Sequence, residues 1–136
     1  MNGTLTLDGI LLPGIAEMLT TLSAELTIHV LTADTFGTAE TVFGNLPVRL
    51  EIIGKENQAV LKWQYLQNLG PEKTAAIGNG MNDYMMLADA ALGIAVLGYE
   101  GLAGTAMTAA NVIASSIGSA LDLLLHPTRL AATLRN

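Results

Sequence analysis

The sequence contains no cysteine. That removes disulfide frameworks and thiolate metal sites, zinc on sulfur among them, and it suits a reducing compartment such as the cytoplasm. Basic residues are scarce: six Lys and Arg stand against twelve Asp and Glu, a net charge of −6. With no Lys/Arg run, a surface that neutralises a phosphate backbone is not expected, so nucleic acid is not an expected partner, although a small anion could bind locally. The opening "MNGTLTLDG" has neither the basic start nor the apolar core of a secretory signal. The charge-free stretch "GLAGTAMTAANVIASSIGSAL", residues 101–121, has the length of a membrane span, but its Gly, Ser, Thr and Asn111 dilute its apolarity. A soluble, cytoplasmic protein without membrane association is the expectation. No repeat, linker or low-complexity segment is visible. A chain of 136 residues predicts a single domain over 1–136 with one sizeable core.

What is present is alternation. "GIAEMLTTLSAEL" carries Ile15, Met18, Leu19 and Leu22 at helical spacing after Pro13. "LTIHVL" (26–31) reads as a buried strand that stops at the polar "TADTFG". "TADTFGTAETVFGN" predicts a short helix closed by Gly44-Asn45, and "VRLEII" a strand near a sheet edge. "KENQAVLKWQYLQNLG" predicts an amphipathic helix with Val60, Leu61, Tyr65, Leu66 and Leu69 on one face and Gly70 as its stop. "KTAAIG", "LGIAV" and "NVIA" read as strands, with helical "MNDYMMLADA" between the first two. "GSALDLLLHPTRLAATLR" reads as a closing helix interrupted near Pro127. Strands alternating with helices predict an α/β fold with a mostly parallel sheet and helices on both faces.

In such sheets ligands bind beyond the carboxyl ends of the strands, so the polar clusters there are the candidate sites. In "GNGMND", Gly78 and Gly80 permit a tight turn and close backbone approach, while Asn79, Asn82 and Asp83 offer hard oxygen atoms suited to Mg²⁺ beside a phosphate. The same residues also suit a plain strand-to-helix turn with Asn82 or Asp83 as its cap. Thr32, just past a strand, could bind a phosphoryl oxygen or cap the following turn. Lys62 could neutralise an anion, although a lone helix lysine is more often solvated surface. Met81, Tyr84, Met85 and Met86 read as core filling rather than as a pocket lining. His29, inside an apolar strand, reads as structural, and His126 as surface.

Taken in order, "MNGT", Thr32 of "VLTAD", Lys62 of "LKWQYLQNLG" and "GNGMND" resemble the motifs of the haloacid dehalogenase-like (HAD) superfamily. The nearest likeness is to soluble proteins related to the phosphorylation domain of P-type ATPases. The resemblance spans essentially the whole chain and implies a three-layer, Rossmann-like HAD core. No large insertion follows "MNGT" or separates Thr32 from Lys62, so no cap domain is expected. The resemblance further implies a Mg²⁺-dependent phosphohydrolase in which a strand-end aspartate attacks phosphorus and water hydrolyses the aspartyl-phosphate. Carried over, Thr32, Ala33, Lys62 and Asn82 would hold the phosphate, with Thr32, Lys62 and Asp83 as catalytic groups. Asn79, Asp83 and the backbone carbonyl of Asn2 would hold the metal. A small phosphorylated molecule or a phosphoprotein would be the substrate, and an open site invites a homo-oligomer in which subunits shield each other.

The match departs from the family in three places. The nucleophilic aspartate should directly precede Met1, and Asp8 lies out of register for the role. Asn2 stands where typical phosphatases carry a general acid/base aspartate, and an amide cannot shuttle a proton at neutral pH. Asn79 replaces a metal-binding aspartate, leaving Asp83 as the one evident carboxylate. Without the nucleophilic carboxylate, residues 1–136 are therefore expected to be inactive or nearly so, or else a non-catalytic domain that binds a phosphate ligand or a protein. In the family the strand leading to the nucleophile lies between those ending at Thr32 and Gly78. The sequence thus leaves three ways to complete the sheet: a start upstream, direct pairing of the two flanking strands, or a strand from another chain. The upstream start is the favoured one.

Overall fold

The computed structural model describes residues 1–35 and 37–135. Phe36, within the "TADTFG" loop, and Asn136 lie outside the described residues. The chain opens with a small antiparallel hairpin of β1 (Thr6–Leu7) and β2 (Ile10–Leu11). It turns at Asp8 and Gly9, both with positive φ. Two-residue arms are too short to show an alternating pattern, which is why the sequence reading passed over them.

Helix α1 (Ile15–Leu22) buries Ile15, Leu19 and Leu22, one stripe of a 3.6-residue repeat. β3 (His29–Thr32) follows, then α2 (Ala39–Phe43), which ends at Gly44, and β4 (Arg49–Ile52), which pairs parallel to β3. Helix α3 (Gln58–Leu69) stops at Gly70, whose φ of 92° no β-carbon-bearing residue adopts easily. β5 (Ala75–Gly78) leads through a 3₁₀ turn at Met81–Asp83 into α4 (Tyr84–Asp89). After β6 (Leu92–Val96), α5 (Gly104–Ala109) and β7 (Val112–Ala114) complete a parallel set in the order β5-β6-β7. Two helices close the chain, α6 (Ile117–Leu125) and α7 (Pro127–Thr133), and the break at His126 falls where Pro127 removes a backbone donor.

Parallel strands and crossover helices form the expected mixed α/β architecture, and no inserted cap interrupts the described elements. One apolar cluster joins α1 and α6 to Val30, Ile94, Val96 and Val112. A second joins Leu66 of α3, Met86 and Leu87 of α4 and Ala106 of α5 to Ala76. Neighbouring strand residues feed opposite layers, as the pleat requires, with Ala76 in the second cluster and Ile77 against the first.

The sheet itself is in two pieces. Among the described residues no ladder joins β3 to β5, so the two strands do not close directly on each other. Three further expectations need correction. The inward stripe of α3 is Lys62 and Leu66, while Val60 is exposed, because the helix is rotated to bring Lys62 inward. Residues 104–109 form a helix that the Gly- and Thr-rich sequence concealed. Of the methionine-rich turn only Met86 is core; Met81 and Tyr84 are exposed, because the 3₁₀ turn points the first residues outward.

Gly93 shows how closely the layers meet. Its N–H donates to Asn111 Oδ1 at 2.7 Å, and a β-carbon there would collide with the carbonyl of Leu87 at the end of α4. Gly93→Ala should therefore lose about 1–3 kcal/mol in urea denaturation, the usual range for overpacking. Gly104→Ala, with nothing within 4 Å of the new methyl group, should be neutral or stabilising by up to about 1 kcal/mol.

Candidate active site

The carboxyl ends of β3 and β5 are bridged by the first residues of the chain. The Met1 amino group donates to the carbonyl of Leu31 at 3.5 Å, and Thr4 Oγ1 donates to Asn79 Oδ1 at 2.9 Å. Thr32 and the loop after Gly78 therefore lie at the same end of the molecule.

Lys62 reaches this region from the second turn of α3. Its Nζ donates to Asp83 Oδ1 at 2.6 Å and to Asn82 Oδ1 at 3.2 Å, with Lys62 7% and Asp83 5% exposed. The other carboxylate oxygen, Asp83 Oδ2, accepts the N–H groups of Asn79 at 3.0 Å and Gly80 at 2.9 Å. Asp83 can turn back in this way because it ends a 3₁₀ turn, where a carboxylate satisfies amides left free at a helix start. Gly78 permits the approach, since any β-carbon there would overlap the Asp83 side chain. The result is a buried ion pair whose carboxylate also holds the loop.

The remaining sequence-designated residues are arranged around this pair. Asn82 Nδ2 donates to Gln58 Oε1 at 2.7 Å, which fixes the amide so that its oxygen faces Lys62. Asn79 Nδ2 donates to the Gly101 carbonyl at 3.2 Å. Thr32 is buried, and its Oγ1 accepts the N–H of Asp34 at 2.9 Å, so the hydroxyl caps the turn that follows β3. Among the described residues no hydrogen bond links Thr32 to Lys62 or Asp83, and Ala33 is half-buried in the same turn. Lys62, Asn82 and Asp83 are thus in direct contact, and Asn79 joins them through its backbone. Asn2 is held from outside: its Oδ1 accepts from Thr6 Oγ1 and from the Gly9 N–H, both at 3.1 Å.

Glu100 was missed by the sequence reading. It accepts from Asn2 Nδ2 at 2.8 Å. A β-carbon on Gly3, where φ is +77°, would stand 2.6 Å from Glu100 Oε2 and 3.1 Å from Asn79 Oδ1. The signal was available, because "GYEG" follows β6 as "GNGMND" follows β5. Among the described residues no group of three His, Cys, Asp or Glu side chains gathers to enclose a metal. The donor set is partial: Glu100 Oε2 and the Asn79 amide stand beside the bare backbone of Gly3, while both oxygens of Asp83 are engaged by Lys62 and by the Asn79 and Gly80 amides.

The Met1 amine is buried, and this burial, reinforced by the nearby Lys62 charge, lowers its pKa from 8.0 to about 6. His29 donates or accepts through Nδ1 with the Tyr65 hydroxyl at 2.9 Å, a structural contact as expected, and burial lowers its pKa too. His126 is exposed and pairs with Asp122.

A parallel α/β sheet with a buried Lys–Asp pair and a glycine-rich loop at its strand ends has its polar groups where α/β folds of this class bind ligands. The chain belongs to the haloacid dehalogenase-like hydrolase family, whose model matches residues 18–100. It is 41% identical over 93 residues to an uncharacterized protein of Methanocaldococcus jannaschii, covering 67% of this chain and 100% of that one. Three solved structures share the fold. A chain described as a HAD superfamily (subfamily III A) hydrolase from Legionella pneumophila superposes with a TM-score of 0.68 at 16% identity, over 88% of this chain and 69% of its own. One described as a HAD family hydrolase from Streptomyces avermitilis gives 0.64 at 18% identity, over 84% and 67%. One described as a 3-deoxy-D-manno-octulosonate 8-phosphate phosphatase from Vibrio cholerae gives 0.66 at 17% identity, over 92% and 70%. No helix among the described residues is long and apolar enough to cross a membrane.

Two predictions follow from the buried charges. Lys62→Met leaves Asp83 buried without its counter-ion and should cost roughly 3–5 kcal/mol in urea denaturation. Adding Asp83→Asn should cost less than the sum of the two single changes, since neither charge then remains unpaired. A polypeptide of residues 1–136 with a free amine should lose stability as pH falls from 8 to about 6. Over that interval the unfolded chain takes up a proton that the folded chain refuses. The loss should total roughly 2–3 kcal/mol in a pH series of denaturation curves. The same series on chains acylated at that amine should lack this slope.

Proposed function

We propose that the chain carries the site of a Mg²⁺-dependent phosphohydrolase working through an aspartyl-phosphate, with the nucleophilic carboxylate outside residues 1–136. The observation that carries this reading is the buried contact of Lys62 Nζ with Asp83 Oδ1, 2.6 Å long, at the carboxyl ends of parallel strands. A lysine held there at the cost of its hydration is poised to offset negative charge on a transferring phosphoryl group. Asp83 sets the direction of the ammonium, and Asn82, itself fixed by Gln58, shares it. Thr32, whose Oγ1 accepts from the Asp34 N–H and keeps its own proton to donate, and the backbone N–H of Ala33 would bind a second phosphoryl oxygen. Asn79, Asp83 and the Asn2 carbonyl, with Glu100 beside them, would hold Mg²⁺, which supplies Lewis-acid stabilisation when bound. In the reaction a carboxylate oxygen bonds to phosphorus as the ester oxygen departs, and water later cleaves the acyl phosphate. Asn2 cannot protonate the leaving group, so good leaving groups are favoured.

The substrate class is a small phosphorylated molecule or a phosphoprotein. The setting is a cytoplasmic single domain related to the phosphorylation domain of P-type ATPases, open enough for a homo-oligomer to shield it. A second reading, a non-catalytic domain binding a phosphate ligand or a protein, draws support from Asp83, both of whose oxygens are already engaged.

Residues 1–136 alone should not turn over p-nitrophenyl phosphate. Adding an apolar strand ended by aspartate ahead of Met1 should produce Mg²⁺-dependent hydrolysis, and Lys62→Ala in that extended chain should lower kcat by about 10²–10³. An extended chain that is folded yet inert would overturn the enzyme reading. Calorimetric binding of phosphate with Mg²⁺ and no turnover would then favour the second.

A further inference from the structure

We infer that the outer edge of β4 is a self-complementary surface through which two copies of the chain associate, strand against antiparallel strand, about a two-fold axis at Leu50. Among the described residues β4 is paired on one side only, by β3. The N–H groups of Arg49 and Ile53 donate to the Ile28 and Thr32 carbonyls, so those of Leu50 and Ile52 point outward. Such a row of free donors and acceptors is a template for another strand. The edge is also open: Arg49 and Glu51 are exposed, and Ile52 is 55% exposed. The outer strand of the other piece, β7, offers the shorter run Val112–Ala114, which carries no charge.

The side chains specify both the occupant and the register. Two registers keep most of β4 paired with its own copy. With the axis at Leu50, the two Leu50 residues exchange both backbone bonds, and the Ile52 N–H reaches the Val48 carbonyl of the other copy. Arg49 of each copy then stands directly opposite Glu51 of the other. With the axis at Glu51, the two Glu51 carboxylates face each other and Arg49 faces Ile53. Opposite charges directly across a ladder stabilise it and like charges do the reverse, so the register centred on Leu50 is selected. Among the described residues neither Arg49 nor Glu51 has an ion-pair partner in its own chain, which leaves both free for this contact. The same register sets Ile52 against Val48 and takes an otherwise exposed apolar side chain out of water. A single strand is a small interface, so the association is weak and reversible. Antiparallel pairing points the carboxyl ends of the two copies' strands in opposite directions. The contact is therefore separate from any shielding of the site and does not rest on the phosphohydrolase reading. Nor does it involve Met1, whose amine bonds the Leu31 carbonyl on the side of β3 away from β4.

Its test is a charge swap. In sedimentation equilibrium from about 10 μM to about 1 mM, a range that reaches weak association, residues 1–136 should show a monomer–dimer equilibrium. Amide exchange at Leu50 and Ile52 should slow as the concentration rises. Arg49→Glu alone sets glutamate against glutamate on both sides of the axis, and Glu51→Arg alone sets arginine against arginine. Each should weaken dimerisation about fivefold or more. Mixed in equal amounts, the two variants should form a heterodimer about as readily as the unchanged protein dimerises, because every contact between positions 49 and 51 is again of opposite sign. The double variant should regain homodimerisation for the same reason. Both side chains are exposed, so the substitutions leave the fold intact. A protein that stays monomeric at every concentration would overturn the inference, as would a dimer indifferent to both single changes, or single variants that do not pair when mixed. The chain extended by an apolar strand ahead of Met1 should give the same results, since β3 separates that strand from β4. Because the readout is association and not turnover, a failed phosphatase assay leaves the inference standing.

Discussion

The buried contact between Lys62 and Asp83 constrains most of what surrounds it. Each charge would be costly to bury alone, and each is tolerable because the other lies 2.6 Å away. The pair reaches further than two residues, since the second oxygen of Asp83 holds the amides of Asn79 and Gly80. Helix α3 and the loop after β5 are thereby fixed to each other, and the glycine at 78 is required because the carboxylate occupies the space of its missing side chain. Asn79 then extends the arrangement to Thr4 and Gly101, so the first residues of the chain and the loops after β5 and β6 share one polar network.

The sheet coheres in spite of its division because its halves are joined by helices rather than by a central ladder. Val30 of β3 and Ile94 of β6 meet in one cluster with α1 and α6, and Ala76 meets α3 and α4 in the other. Apolar packing is non-directional, so it can hold a two-stranded and a three-stranded piece at a distance that backbone hydrogen bonds cannot span. The polar network stands at one end of the interval thus preserved. The polar network and the interval between the strands therefore share a boundary at Met1, Lys62 and Asp83.

Much of this was legible before any coordinates. The order of strands and helices came from periodicity, and the helix stops at Gly44 and Gly70 from the chemistry of a residue without a side chain. Lys62 was harder: by composition it was a surface lysine, and only its place in an ordered set of motifs spoke otherwise. The stripe chosen for α3 was off by part of a turn, because Val60 is as apolar as a core residue and nothing local says that a lysine will displace it. Helix α5 was hidden by glycine and threonine, whose weak propensity is overridden by packing of Ala106. Glu100 was hidden for a different reason, lying ninety-eight residues from the Asn2 side chain that it contacts.

By itself the sequence determined the α/β order, the strand ends where polar groups collect and the family to which the chain belongs, since these rest on backbone periods and on residues at short spacing. Tertiary structure alone decided that Lys62 is buried against Asp83, that Thr32 spends its hydroxyl on Asp34, and that β3 and β5 stand apart. Those outcomes depend on which distant surfaces pack together, and no local pattern encodes the cost of desolvating a charge or of leaving a strand edge unpaired.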